Sequence, residues 1–179
     1  YLAETVEGAR APFNPHSPTP GMEVTAVNGM ASAFLGCQQC HGSKIGLVGK
    51  YTHLDDAYLS VIESIKSAAA FHGRKAEIVW VDSERLEKKD AKVWKELESC
   101  AGIIVPGGFG TRGIEGKILA AHYARTKKVP YLGLCLGSQL LAIEFARAML
   151  KDPQLTSQEF DEKEKLGHDK YVVHFLPDQ

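Results

Sequence analysis

Apolar residues in this chain fall into short unbroken runs separated by longer stretches of helical spacing. "KIGLVG" from Lys44, "EIVWVDS" from Glu77, "GIIVPGG" from Gly102 and "VPYLGLC" from Val129 read as strands. Their continuous apolar character suits strands buried on both faces. Between the first two, "DDAYLSVIESIKSAAAFHG" predicts a helix with Asp55 or Asp56 as N-cap, apolar positions at Leu59, Ile62, Ile65 and Ala69, and a stop at Gly73. "DAKVWKELESC", "GIEGKILAAHYARTK" and "GSQLLAIEFARAML" repeat the helical spacing. This alternation predicts an α/β fold: a doubly wound, mostly parallel sheet with helices on both faces. Strands near Ile45, Ile78, Ile103 and Tyr131 form that sheet, and ligands gather at the carboxyl ends of such strands.

The two flanks follow other rules. Residues 1–43 include "APFNPHSPTPG", whose four prolines are incompatible with helix or central strand, so this part reads as an arm or linker. Residues 44–179 read as the domain. Within it, the tail from Lys151 is polar and loop-like until "YVVHFL" offers one more strand.

Composition narrows the class of partner. At 179 residues and 44% hydrophobic content the chain suits one compact domain. Lysine and arginine number 21 against 22 acidic residues, with no long block of one sign. Nothing here grips nucleic acid or an anionic membrane by charge. No apolar run reaches the length of a membrane span, and "YLAETVEGAR" lacks the basic and then apolar order of a secretory signal, so a soluble, cytoplasmic protein is expected. The four cysteines, Cys37, Cys40, Cys100 and Cys135, make no disulfide framework and are expected as reduced thiols.

One of those thiols sits in a telling place. "GLCLGSQ" has the form Gly-x-Cys-x-Gly, the thiol counterpart of the nucleophile elbow, where a sharp strand-to-helix turn projects the nucleophile and crowding demands small flanking residues. A cysteine there also faces the positive end of the helix dipole, which favours thiolate. The alternative is a small apolar cysteine buried at a strand end. The "PGGFGTRG" turn favours chemistry, because acyl transfer needs backbone N–H donors aimed at a developing oxyanion and paired glycines let a backbone approach closely. A phosphate-cradling loop is the other reading of Gly107, Gly108 and Gly110. However, Thr111 stands where the first P-loop glycine belongs, and Ile118 replaces the hydroxyl residue that would hold magnesium.

Together "KIGLVGKY", "DAYLSVIESIKSA", "VPGGFGTRGIEGKI", "YLGLCLGSQLLAIEFAR" and "SQEFD" resemble the glutaminase domain of the CTP synthases, which are class I glutamine amidotransferases. The resemblance runs from about Lys44 to about Gln179. It implies that Cys135 attacks the side-chain amide of L-glutamine and forms a glutamyl thioester, releasing ammonia. The backbone N–H groups of Gly108 and Leu136 would form the oxyanion hole, with Gly107 beside them. Phe109 would pack on the glutamine chain, Gln139 would help position it, and Glu159 would hold its α-amino group. Arg112 would contact a nucleotide effector. Taken singly, Phe109 also reads as core, Gln139 as an exposed first-turn residue and Glu159 as a solvated charge. The resemblance further implies no cofactor in this domain, a synthetase (amidoligase) domain that uses ATP and Mg²⁺ to aminate UTP, and a homotetramer built mainly through that domain.

The chain departs from the family pattern in one respect. There the thiol is served by a histidine, itself oriented by a carboxylate, in a His-Pro-Glu segment far downstream of the elbow. No His-x-Glu pair occurs in this sequence, which ends at "FLPDQ". The C-terminal part of the domain is therefore expected to be missing. His168 and His174 follow the elbow, but without an orienting carboxylate at a recognisable spacing. A non-catalytic glutamine-binding or regulatory remnant thus stays open, as does an elbow-cysteine enzyme of the DJ-1 and PfpI-like group. That group usually carries histidine directly after the nucleophile, where this chain has Leu136. "CQQCH", Cys37 to His41, has the form of a c-type haem attachment or half a zinc site; it lacks an identifiable second axial ligand and a second ligand pair.

Overall fold

The computed structural model describes residues 42–50, 55–161 and 165–176. The proline-rich arm and the Cys37 to His41 motif lie outside the described residues, so the arm and the haem and zinc readings stay untested.

Four parallel strands form the central sheet: β1 (Ser43–Gly49), β2 (Ala76–Asp82), β3 (Gly102–Val105) and β4 (Tyr131–Gly133), in the order β2-β1-β3-β4. Ile45 stands opposite Ile78 on one side and Gly102 on the other, and Ile103 stands opposite Tyr131. The carboxyl ends of all four strands therefore share one edge, as expected for a parallel sheet. Helices α1 (Leu59–Phe71), α2 (Ser83–Glu87), α3 (Ala91–Glu98), α4 (Ile114–Lys127) and α5 (Leu136–Leu150) complete the main body.

Side-chain alternation along the strands sends two apolar sets to opposite faces. Val48, Val81, Ile103 and Val105 pack with Leu86 of α2, Val93 and Leu97 of α3, and Ala120 and Ala124 of α4. Ile45, Leu47 and Ile104 pack with Tyr58 and Ile62, and so hold α1 on the other face. A third cluster joins α4 to α5 through Ile114, Ile118, Leu136, Leu140 and Ile143. The predicted doubly wound arrangement is the one observed.

Local details correct two expectations. The N-cap position of α1 is Tyr58, with no side-chain cap bond, rather than Asp55 or Asp56, because Asp55–Tyr58 is a 3-10 turn. Leu59 is 54% exposed, off the buried stripe that Ile62 and Ala69 hold. Gly73 does end the helix, at φ +64°, with Arg74 N–H donating to Ala69 O at 2.8 Å in a Schellman closure. The late strand expected in "YVVHFL" forms as β6 (Tyr171–Val173), outside the central sheet. It pairs in parallel with the two-residue β5 (Thr156–Ser157), and the Asp161 carboxylate fixes the connection by accepting from Leu166 N–H at 2.6 Å and Tyr171 O–H at 3.0 Å. The short α2 went unpredicted; Asp82 caps it by accepting from the N–H groups of Glu84 and Arg85.

Two buried charged residues lie on adjacent helices. Glu144 of α5, 3% exposed, accepts two bonds from Arg125 at 2.8 Å, one from its Nε and one from its Nη2, and lies 2.8 Å from His122 Nδ1, both on α4. Lys117 of α4 is fully buried, and its Nζ has no hydrogen-bond partner among the described residues. Among the described residues, no helix is long and apolar enough to cross a membrane.

Candidate active site

The elbow is built by exclusion of side chains. β4 ends at Gly133, Leu134 N–H donates to Val105 O at 2.9 Å, and α5 starts at Leu136, so one residue must reverse the chain. That residue is Cys135, at φ +51° and ψ −111°, a conformation that side-chain-bearing residues rarely hold and that clusters at functional sites. A Cβ on Gly133 would lie 2.4 Å from the Gly137 carbonyl carbon, and one on Gly137 would lie 2.0 Å from Val105 O. Both flanking glycines are therefore required by contact. Ser138 Oγ donates to Cys135 O at 2.7 Å and Tyr131 O–H donates to Gly137 O at 2.9 Å, which pins the turn from two sides.

Cys135 is exposed, which removes the reading of a buried apolar cysteine. Cys100 supplies the contrast. It is buried, bonds Glu96 O at 3.2 Å, and burial pushes its thiol up to about 11.

The glycine turn after β3 meets this elbow. A Cβ on Gly107 would stand 3.5 Å from the Cys135 Cβ, so the missing side chain is what lets the two turns touch. A Cβ on Gly108 would stand 3.5 Å from Lys117 Nζ, 3.7 Å from Leu136 Cδ2 and 3.8 Å from Lys50 Cε. Among the described residues, nothing accepts a hydrogen bond from the N–H of Gly108 or of Leu136, so both donors are available to a ligand oxygen.

The remaining predicted residues fall around these turns to different degrees. Phe109 is 86% exposed and is not core. Gln139 lies in the first turn of α5, half-buried, with its Oε1 buried and unpartnered among the described residues. Glu159 lies half-buried in the 3-10 turn after β5, where Ser157 Oγ accepts from its N–H at 3.3 Å; it is no freely solvated tail charge. Arg112 is exposed and pairs with Glu84 at 2.7 Å. His168 and His174 stack on each other at 6.4 Å, each beside Tyr171, and neither bonds the Cys135 thiol. That thiol has no hydrogen-bond partner among the described residues. No described group of three or more His, Cys, Asp or Glu residues is placed to hold a metal ion.

Two site residues escaped the sequence reading. Lys50, at the carboxyl end of β1, donates to the carbonyls of Phe109 and Gly110 and so clamps the glycine turn from behind. Partial burial pulls its ammonium below the ordinary range, reinforced by the Arg112 charge and opposed by Glu84 and Glu159. This links Glu159 electrostatically to the turn. Lys117 is the second. It falls on the buried stripe of α4 with Ile114, Ile118, Ala121 and Ala124, and a lysine in that register was the available signal.

Comparison with known proteins shows the family. The model of the family "Glutamine amidotransferase class-I" matches residues 53–175. The CTP synthase of Eremothecium gossypii is 50% identical over 143 residues, covering 75% of this chain and 24% of that protein. The CTP synthase of Carboxydothermus hydrogenoformans is 50% identical over 135 residues, again 75% of this chain and 24% of that protein. Among solved structures, the glutaminase domain of Trypanosoma brucei CTPS with bound acivicin superposes with a TM-score of 0.63 at 38% identity, over 69% of this chain and 47% of that one. The chain thus spans about a quarter of the length of the curated relatives it matches.

Proposed function

The chain belongs to the class I glutamine amidotransferase family, and we propose that it carries the nucleophile and oxyanion site of a CTP synthase glutaminase. The observation that carries this reading is the contact between the Gly107 turn and a strained, exposed Cys135. In the proposed reaction, the Cys135 sulfur attacks the side-chain amide carbon of L-glutamine, and the carbonyl electrons move onto oxygen, facing the N–H groups of Gly108 and Leu136. As the tetrahedral intermediate collapses, the proton given up by the Cys135 thiol ends on the amide nitrogen, the C–N bond breaks and ammonia leaves, with a glutamyl thioester on Cys135. Water then adds to the thioester, releasing glutamate and restoring the thiol.

Phe109, Gln139 and Glu159 are assigned to the substrate, with Glu159 on its α-amino group; the half-burial of Glu159 and the orphaned Gln139 oxygen support these roles. Arg112 is assigned to an effector. The relatives' name, CTP synthase, supports the formation of CTP as the wider setting; to that setting we assign a synthetase domain of the same enzyme that takes the ammonia and uses ATP and Mg²⁺ to aminate UTP, and a cytoplasmic homotetramer. The reading assigns no cofactor to the glutaminase part. The acivicin on the Trypanosoma brucei domain is a glutamine analogue and supports glutamine as substrate.

A second reading, glutamine binding without turnover, is favoured by the absence of a described partner for the thiol. Ammonia release from L-glutamine by this chain and by Cys135→Ala separates the two. Cysteine-dependent release supports turnover. Glutamine binding with no release supports the second reading, and failure to bind glutamine at all sinks both.

A further inference from the structure

The Gly107–Gly108 pair touches both the elbow cysteine and a buried lysine. Gly107 faces the Cys135 Cβ, and Gly108 faces Lys117 Nζ. Lys117 reaches this place because it is the fourth residue of α4, whose first turn follows the glycine loop, and helical side chains lean toward the N-terminus. A buried ammonium is normally paired; this one is fully buried and has no described partner. A neighbouring carboxylate would have relieved it, yet Glu115 is engaged by Arg147 and Glu84 by Arg112. The charge that does act on it is another cation, Lys50.

Resting on the glutaminase reading, we propose that Lys117 is a positioning residue of the oxyanion site: its ammonium lies behind the Gly108 peptide and strengthens the donor that faces negative charge developing on the glutamine carbonyl. A cation in a region of low dielectric polarises the intervening peptide and stabilises an anion on its far side, while solvent screens it little. The arrangement has no use for a paired lysine, because a carboxylate at Nζ would cancel the field. Burial, reinforced by Lys50, pushes the Lys117 ammonium down to about 8, so its charge is present below that pH and lost above it.

The test uses the full 179-residue chain and two electrophiles. The chloromethyl ketone analogue of glutamine places a carbonyl in the oxyanion site as the Cys135 sulfur displaces chloride; iodoacetamide alkylates the same thiol, displacing iodide, without the glutamine framework. In Lys117→Met, labelling of Cys135 by the chloroketone should slow by about 10- to 30-fold at pH 7, smaller than the loss of a direct donor, with the iodoacetamide rate within about twofold of the parent. Lys117→Arg should recover most of the chloroketone rate. In the parent chain the ratio of the two rates should fall by about tenfold between pH 7 and pH 9, and in Lys117→Met it should stay flat. An unchanged chloroketone rate in Lys117→Met overturns the inference, as does an equal fall with both reagents, which marks a purely structural role. If the parent chain shows no glutamine-protected labelling by the chloroketone, the glutaminase reading itself fails and this inference falls with it.

Discussion

Glu144 and Lys117 are both buried charges in the α4–α5 region, and they are treated in opposite ways. Glu144 receives Arg125 in a two-pronged bond and the His122 ring. Desolvation alone would raise its carboxyl, but the bonds from Arg125 and His122 and their charges outweigh burial and leave it below the ordinary carboxylate range. Lys117, earlier on the same helix than either partner, has no such compensation among the described residues. A paired charge fixes how two helices meet. An unpaired charge works against stability, and its position beside the glycine turn is where such a sacrifice has a chemical use.

The largest test of this contrast is Glu144→Ala. It removes the buried carboxylate that Arg125 and His122 both hold, and loss of the buried member of such a pair costs about 3 kcal/mol, a fall in Tm of roughly 6 to 12 °C by circular dichroism. Next is Lys117→Met, which should act in the other direction and raise stability by about 2 kcal/mol at pH 7, because it replaces an unpaired buried charge with an apolar chain of similar length. A loss of stability there would show that Lys117 is paired in solution.

The pH profiles sharpen the same comparison. The folded-state ammonium of Lys117 is depressed to about 8 from 10.5, so between these values the unfolded chain binds more protons than the folded one. Stability should therefore rise with pH across that window, and urea titrations of Lys117→Met should lack this rise. Glu144 has the acid limb. Its folded carboxyl is held low, so its contribution is present above the unfolded value near 4.5 and lost as pH falls through the folded one; Glu144→Gln should remove that dependence. The smallest effect belongs to His122→Ala. His122 is 54% exposed and Arg125 still holds Glu144, so Tm should move by no more than about 2 °C.

Local sequence determined much of this protein. Strand and helix periods are set by neighbours two to four residues apart, so all four central strands and four of the five helices were legible, as was the elbow, whose Gly133 and Gly137 answer to contacts within one tight turn and the adjoining strand end. Where a three-dimensional neighbour chose the outcome, the sequence was silent or wrong. The 3-10 turn displaced the expected cap of α1, and β6 paired with the two-residue Thr156–Ser157, too short to carry a period.

The candidate site divides along the same line. Cys135 and the glycines declared themselves, because a strained turn restricts which residues can occupy it. Lys50 reaching Phe109 across 59 positions, Arg125 meeting Glu144 across 19, and Lys117 lying beside Gly108 with no partner among the described residues are consequences of packing. Charge and burial are properties of a place in the fold. A lysine in the sequence carries neither until the tertiary structure decides which groups surround it.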